Sequence, residues 1–224
     1  MRRLAGRSTE HMRRSSRLIV LILGILLLSG CTIATIRPLD ETGKPIIEQK
    51  VFSAAEYVDQ RWESLIIPYA RENAVPLEQL IQGLRSDQEA IAERYGVREG
   101  TNAFNFLVSG TGTVREVDTS SLMGLLHLEL PSIPNAPTIS IQIGPVIRGT
   151  ALRDAVPFID FDQFTNQIEF ANVSNELHKR VREDVLSNFN RDEAVGKTVT
   201  FWGAFTLETL DNIRITPVIL EVGE

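Results

Sequence analysis

The central stretch of this sequence runs Phe104-Asn-Phe-Leu-Val-Ser-Gly-Thr-Gly-Thr-Val-Arg-Glu-Val117. Aromatic and β-branched residues dominate both ends, a composition typical of a β-strand. Gly110 and Gly112 interrupt the middle, where residues without a side chain permit a bend or the close approach of a second strand. The stretch therefore predicts one long strand that bends at its glycines.

Four more strands are predicted after this one. Two of them show a period of two, which places apolar residues on a buried face and polar residues on a solvent face. The buried face contains Leu126, Leu128, Leu130, Ile139, Ile141 and Ile143, and the solvent face contains His127, Glu129, Thr138, Ser140 and Gln142. The four strands cover 123–130, 138–144, 197–207 and 213–222, and Pro217 indicates an edge or a bulge in the last of them.

A helix is predicted between the third and fourth strands. Apolar residues recur every four positions within 158–189, at Leu177, Val181, Val185 and Phe189, and Ser174 is a suitable N-cap. Three strands, a helix and two strands, opening with a glycine-bent strand, is the order of an OB-fold, a five-stranded Greek-key barrel. We therefore predict an α+β protein with a five-stranded OB-fold-like β-barrel. A four- or five-stranded α+β sandwich is the alternative.

A helical N-terminal segment over 51–98 is predicted to precede the barrel, which takes 99–224. Ser53-Ala-Ala-Glu56 has the spacing of a capping box and predicts the start of a helix. Pro68 is expected to end or kink this helix. A later helix is expected to bury a stripe made of Leu77, Leu80, Ile81 and Leu84.

The first thirty residues have the composition of an export signal. Residues 1–30 hold six basic side chains and one acidic side chain, and an apolar run fills 18–28. This run is shorter than the ~20 residues that a membrane-spanning helix needs. The segment is therefore predicted to be a cleaved signal peptide. An uncleaved N-terminal anchor is the alternative.

The end of this segment, Leu28-Ser29-Gly30-Cys31, resembles the lipobox of bacterial lipoproteins. The resemblance implies that the sulfur of Cys31 carries a diacylglycerol, that cleavage precedes it, and that the new amino group is acylated, with palmitate as a typical chain. Residues 31–50 show no period and are predicted to be a tether. Thr32 resembles an outer-membrane sorting signal, but the choice between inner and outer membrane stays open.

Charge and cysteine content exclude several classes of protein. The whole chain has a net charge of -6, and removal of residues 1–30 leaves -11. Such a body repels nucleic acids and anionic lipid surfaces, so attachment to a membrane must come from the lipid. The single cysteine excludes an internal disulfide and a thiolate metal cage. No cofactor and no metal are expected.

Three further segments resemble the DUF2291 family of predicted periplasmic lipoproteins. They are Gly144-Pro-Val-Ile-Arg-Gly-Thr-Ala-Leu-Arg-Asp154, Phe164-Thr-Asn-Gln-Ile-Glu-Phe-Ala171 and Gly196-Lys-Thr-Val-Thr-Phe-Trp-Gly-Ala-Phe205. Together with the lipobox, they span most of the chain in order. The resemblance implies an OB-like barrel on a lipid anchor and an association with sugar-type ABC importers.

One polar cluster within these segments is the candidate site: Arg148, Arg153, Asp154, Asn166, Gln167 and Glu169. Polar groups in an otherwise apolar setting must be paired, so we expect them to be buried. One interpretation is a structural network in which Arg153 bridges to a carboxylate. The other is a binding site for a small polar ligand, because Arg, Asn and Gln bind hydroxyl and carboxylate groups. Only the second predicts an adjacent cavity.

The remaining polar and aromatic candidates have simpler explanations. His127 and His178 are expected on the solvated surface. Asp160 and Asp162 offer oxygens to Ca²⁺, but nothing nearby in sequence completes its shell, and charges at a helix N-terminus explain them better. Trp62 and Trp202 are expected to serve packing rather than sugar stacking. No residue of the chain is predicted to be catalytic.

Three functions are compatible with these features. The first is a non-enzymatic, membrane-anchored accessory or small-solute-binding protein, with an ABC importer component or the solute as partner. The second is a structural envelope protein that makes protein contacts and exposes an apolar patch. The third, ranked last, is a carboxylate-based hydrolase such as a glycosidase, whose candidate residues are Asp154, Asp160, Asp162 and Glu169.

Overall fold

The computed structural model describes residues 51–133 and 135–223. The predicted signal peptide, the tether and Cys31 lie outside the described residues. Phe52–Glu224 forms one compact unit, which contains both the N-terminal helices and the barrel. Among the described residues, no helix combines the length and the apolar character that a bilayer crossing requires.

Five long strands close into a barrel, and a two-residue strand pairs with the first of them. The strands are β1 (Val75–Pro76), β2 (Asn105–Asp118), β3 (Leu125–Glu129), β4 (Thr138–Gln142), β5 (Thr198–Thr206) and β6 (Asn212–Val222). Their order is β1-β2-β3-β4-β6-β5, and β5 pairs back onto β2. The pair β4–β6 is parallel, whereas all other barrel pairs are antiparallel. This is the OB-fold arrangement, so the fold prediction is confirmed.

The long strand β2 belongs to both halves of the barrel. Its first part pairs with β5 from Asn105 to Thr113, and its second part pairs with β3 from Thr113 to Asp118. A Cβ on Gly110 would lie 2.8 Å from the ring of Phe201, so glycine is needed there for close approach. The predicted role of the glycines in bending this strand fits these contacts.

A bulge in β6 explains the proline of that strand. Trp202 and Gly203 are adjacent on β5 but pair with Ile219 and Pro217, so Val218 is the extra residue on β6, next to a proline that cannot donate a ladder hydrogen bond. A Cβ on Gly203 would lie 2.5 Å from the carbonyl oxygen of Thr216. The bulge predicted from Pro217 is therefore present, and Gly203 makes it sterically feasible.

The barrel interior follows the period-two pattern of the sequence. The inward-facing apolar residues are buried as predicted: Leu126, Leu128, Leu130, Ile139, Ile141 and Ile143. The solvent face is wrong at two positions, because Ser140 and Gln142 are 1 % and 2 % exposed. Residues 143–150 return over this outer face, where the backbone of Arg148 binds the side chain of Gln142.

From residue 51 onward, four α-helices precede the barrel: α1 (Ala54–Arg61), α2 (Ile67–Asn73), α3 (Leu77–Ser86) and α4 (Gln88–Tyr95). Ser53 caps α1 through a hydrogen bond from the backbone N–H of Glu56, as predicted. A π-helical turn at Trp62–Ile66 joins α1 to α2. This wider turn lets the helix continue past Pro68, whose ring would otherwise meet the preceding turn. The predicted stripe on α3 is fully buried.

The link between β4 and β5 contains α5 (Ala151–Asp154), a short 3₁₀ turn (Phe161–Gln163) and α6 (Gln167–Arg180). The predicted N-cap Ser174 is wrong, since it lies inside α6 and is buried, and Asn166 caps the helix instead. A π-helical turn at Val181–Val185 follows α6. The turn shifts the buried side by one residue, so that Leu186 is buried while Val185 is only partly buried.

Candidate binding site

A cavity of about 400 Å³ opens between the connection from α4 to β2 and the segment that begins at the end of α5. Its walls come from the connection between α4 and β2, from Asn105 at the start of β2, from residues 153–162 and from Phe170 on α6. Six charged side chains line it: Arg98, Glu99, Arg153, Asp154, Asp160 and Asp162. Its volume is within the range typical of small-molecule sites.

The side chain of Arg153 is fixed by several contacts within the protein. Its Nε–H donates to Oδ1 of Asp154 at 2.7 Å, and its Nη1 donates to the carbonyl oxygen of Phe170 at 3.3 Å. The guanidinium lies 3.6 Å from the centroid of the Phe170 ring, a cation–π contact. The side chain is only 11 % exposed. Since a guanidinium has five N–H donors, these contacts fix its plane and leave others for a ligand.

Asn105 at the cavity wall was missed by the sequence analysis. Its side chain is buried, donates to the carbonyl oxygens of Val97 and Ala103, and accepts a hydrogen bond from Oγ1 of Thr206 at 2.6 Å. It ties the α4–β2 connection to the barrel and so shapes this wall. A polar residue between Phe104 and Phe106 is the signal in the sequence that pointed to it.

Asp160 and Asp162 stand at the 3₁₀ turn. Oδ1 of Asp160 accepts the backbone N–H of Asp162 at 2.9 Å, so Asp160 caps the turn. This position agrees with the interpretation of both residues as charges at the start of a helix. Within residues 51–133 and 135–223, no group of three or more His, Cys, Asp or Glu side chains is placed to hold a metal ion. The Ca²⁺ interpretation gains no support from this arrangement.

The six predicted site residues fall into three places. Arg153 and Asp154 meet at the cavity. Arg148 uses its backbone to bind Gln142, while its side chain is exposed. The other three lie at the start of α6: Asn166, Gln167 and Glu169. The expected burial is therefore wrong for Arg148, Asn166 and Gln167, because a loop and a helix end carry them at the surface.

The start of α6 is a capping arrangement. Oδ1 of Asn166 accepts the backbone N–H groups of Ile168 and Glu169 at 3.0 Å each. Oε2 of Glu169 accepts the N–H of Thr165 at 2.9 Å, close to the reciprocal pattern of a capping box. These contacts explain both residues without a ligand, and Gln167 is an exposed residue of the first turn.

A second polar cluster was also missed by the sequence analysis. Nε2 of Gln142 donates to Oγ1 of Thr216 at 2.9 Å and to the carbonyl oxygen of Arg148 at 3.1 Å. Oε1 of Gln142 accepts the N–H of Arg148 at 2.8 Å. The amide is thus satisfied on both sides, which is the condition for burying it. Its role is to fix residues 143–150 onto β4 and β6.

The two histidines within the described residues, His127 and His178, differ in exposure. His127 is partly exposed on β3, near the expected surface position. The surface prediction is wrong for His178, which is 8 % exposed because α6 turns it toward the link after β4, where it is hydrogen-bonded to the backbone of Gly149. Burial, reinforced by the positive charge of Arg182, lowers the pKa of His178 below its ordinary value of 6.5. The group is therefore neutral near pH 7.

Trp62 and Trp202 have packing roles, as expected. Trp62 is 1 % exposed in the core, and Trp202 lies partly buried on β5, with the guanidinium of Arg71 5.0 Å from its ring centroid.

A separate groove of about 540 Å³ lies along the β3–β4 hairpin and is lined by Arg115, His127 and Glu129 among others. None of the six predicted site residues lines this groove.

Comparison with solved structures identifies the class of protein. A crystal structure of an OB-fold protein from Thermotoga maritima is similar, with a TM-score of 0.66 and 20 % sequence identity, and the match covers 78 % of this chain and 100 % of that one. At this identity the likeness shows the fold alone. This chain is therefore an OB-fold barrel with a helical N-terminal segment.

The particular family follows from the sequence. The chain belongs to the DUF2291 family, described as predicted periplasmic lipoproteins, and the family model matches residues 21–221. It is thus a lipoprotein, anchored by lipid on the periplasmic side of a bacterial membrane. No curated protein matches the chain.

Proposed function

We propose that this lipoprotein is a non-enzymatic accessory protein that binds a small polar solute in the cavity beside Arg153 and Asp154. The single observation that carries the proposal is that cavity, since the purely structural interpretation of the Arg153 pair predicts none. The pair offers fixed N–H donors and a carboxylate, which suit hydroxyl, amine or carboxylate groups. The rings of Phe161 and Phe170 add an apolar surface beside them.

A binding role explains the carboxylates better than a hydrolytic role. Asp154 holds Arg153, Asp160 caps the 3₁₀ turn, and Glu169 binds a backbone N–H at the start of α6. Three of the four candidate acids are thus occupied by a structural contact, and Asp162 is the exception. A glycosidase instead needs two carboxyl groups facing each other across a substrate bond.

The proposal includes the anchor and its partner. Cys31 is the acylated residue, 1–30 the removed signal and 31–50 the tether that carries the helical segment (51–98) and the barrel (99–224). Two or three acyl chains bind a bilayer firmly because each buried CH₂ contributes about 0.8 kcal/mol. A sugar-type ABC importer is the proposed partner. The Cys31→Ala variant should lose palmitate labelling and leave the membrane fraction. Co-purification of permease components with the unmodified protein would test the association with an importer.

The binding claim is tested by calorimetric titration of the lipidated protein in detergent with a panel of sugars, polyols and amino acids. Asn102 lines the cavity and is exposed, so Asn102→Trp should fill it without disturbing the core. Asn188→Trp, at an exposed position away from the cavity, is the matched control. We expect Asn102→Trp to abolish binding and Asn188→Trp to retain it. Equal binding by both variants would refute the site.

A structural envelope role is the second candidate, and one contact favours it. Leu122 and Val146 are 71 % and 37 % exposed, and the N–H of Val146 binds the carbonyl oxygen of Leu122 at 3.1 Å. They form a small apolar pair on the barrel surface. Leu122→Ser combined with Val146→Ser should weaken a protein partner under this second role and leave solute binding unchanged under the first.

A further inference from the structure

We propose that the solute in this cavity carries a positive charge, in the form of an ammonium group; this inference rests on the proposed binding function. Four carboxylates line the cavity against two guanidinium groups: Glu99, Asp154, Asp160 and Asp162 face Arg98 and Arg153. The balance of fixed charge is negative. A cationic solute would reduce it, whereas an anionic solute would add to it.

Other side chains of the same protein already contact both guanidinium groups. Arg153 is paired with Asp154 and lies on the ring of Phe170. Arg98 lies 4.2 Å from the ring centroid of Phe104 and 3.9 Å from a carboxylate oxygen of Glu93. These contacts offset the positive charges before a ligand arrives.

The remaining carboxylates are less fully engaged. Across the part of the chain that the structure describes, neither Glu99 nor Asp162 forms an ion pair. Asp160 accepts one backbone N–H, and a carboxylate has room for about four such contacts. An ammonium group has three N–H donors and would find acceptors on these side chains.

Two further properties favour a cation. Phe161 and Phe170 line the cavity with their rings edge to face, at a centroid distance of 5.4 Å, and aromatic faces attract ammonium groups. The body beyond residue 30 has a net charge of -11, which raises the local concentration of cations in a cleft. Both effects oppose an anionic solute.

Three probes of one ring size separate the alternatives: glucosamine, glucose and glucuronate. They differ mainly in charge, so calorimetric titration of the lipidated protein at low salt isolates the electrostatic contribution. Because the acidic side chains are largely exposed, we expect only about fivefold tighter binding for each step from anion to neutral to cation. The preference should shrink in 0.5 M salt, because the Debye length is then only about 4 Å and exposed charges farther apart than this hardly interact.

The variants identify the responsible groups. Glu99→Gln with Asp162→Asn should remove the preference for glucosamine over glucose. The control, Glu63→Gln with Glu208→Gln, removes the same charge from exposed positions outside the cavity and should leave the preference intact. Equal or tighter binding of glucose or glucuronate by the unmodified protein would overturn this inference alone. Binding of none of the three would overturn the proposed function as well.

Discussion

Gln142 is the last residue of β4 and Arg153 lies in the link that follows, and both are polar groups held inside the protein. Gln142 is 2 % exposed, and its amide binds three partners at 2.8–3.1 Å. Arg153 is fixed by Asp154 and Phe170 yet faces a space of about 400 Å³. The difference separates a polar group that holds the fold from one that can also hold a ligand.

The largest effect on stability is expected at the hydrogen-bonded cluster around Gln142. Gln142→Leu removes three hydrogen bonds and leaves the N–H and carbonyl of Arg148 and the hydroxyl of Thr216 without partners. We expect a loss of about 3 kcal/mol in the free energy of unfolding, measured by urea denaturation. Gln167→Leu, at an exposed glutamine, should change it by less than about 0.5 kcal/mol. Equal stabilities would contradict the structural role of Gln142.

Arg153→Leu should have a smaller effect on stability and a large effect on binding. Asp154 retains partial exposure, so the loss of its partner should cost about 1–2 kcal/mol. Binding of the solute should weaken by at least about tenfold, because a fixed charged donor is lost. Titration of both variants sharpens the comparison, since Gln142→Leu should bind normally once folded. Unchanged affinity in Arg153→Leu would remove Arg153 from the site.

The pH dependence of stability should report the buried histidine. The pKa of His178 is lowered in the folded protein, mainly by burial, so the unfolded chain binds more protons near pH 6. This contribution is complete above the ordinary pKa of 6.5 and is lost as the pH falls toward the lower folded pKa. Denaturation midpoints measured from about pH 8 to about pH 5.5 should fall for the natural protein. They should fall less for His178→Gln, and parallel curves would refute the assignment.

The smallest effect is expected at the start of α6. Asn166→Ala removes an N-cap that accepts two backbone N–H groups and should cost about 1 kcal/mol. Solute binding should not change, because Asn166 does not line the cavity. Asn166→Asp keeps the capping oxygen and is the matched control. A loss of binding in Asn166→Ala with retention of the fold would return Asn166 to the site.

The barrel was predictable because its signals are local. Alternation at Ile139, Ile141 and Ile143 and the glycines of β2 depend only on the strand that carries them. The outer face of β4 was not predictable, since the chain that covers Gln142 comes from a later loop. Arg153 and Asp154 could be singled out as a polar pair in the link, but the opposite wall, with Asn105 and Glu99, lies about 50 residues earlier in the sequence.

The most direct test of the central claim is the position of a bound solute in crystals of the protein. A crystal soaked with the tightest-binding solute of the panel should show difference density between Arg153 and Phe161, within hydrogen-bonding distance of Arg153 or Asp154. Density along the β3–β4 groove near Arg115 and His127, with an empty cavity beside Arg153, would contradict the account.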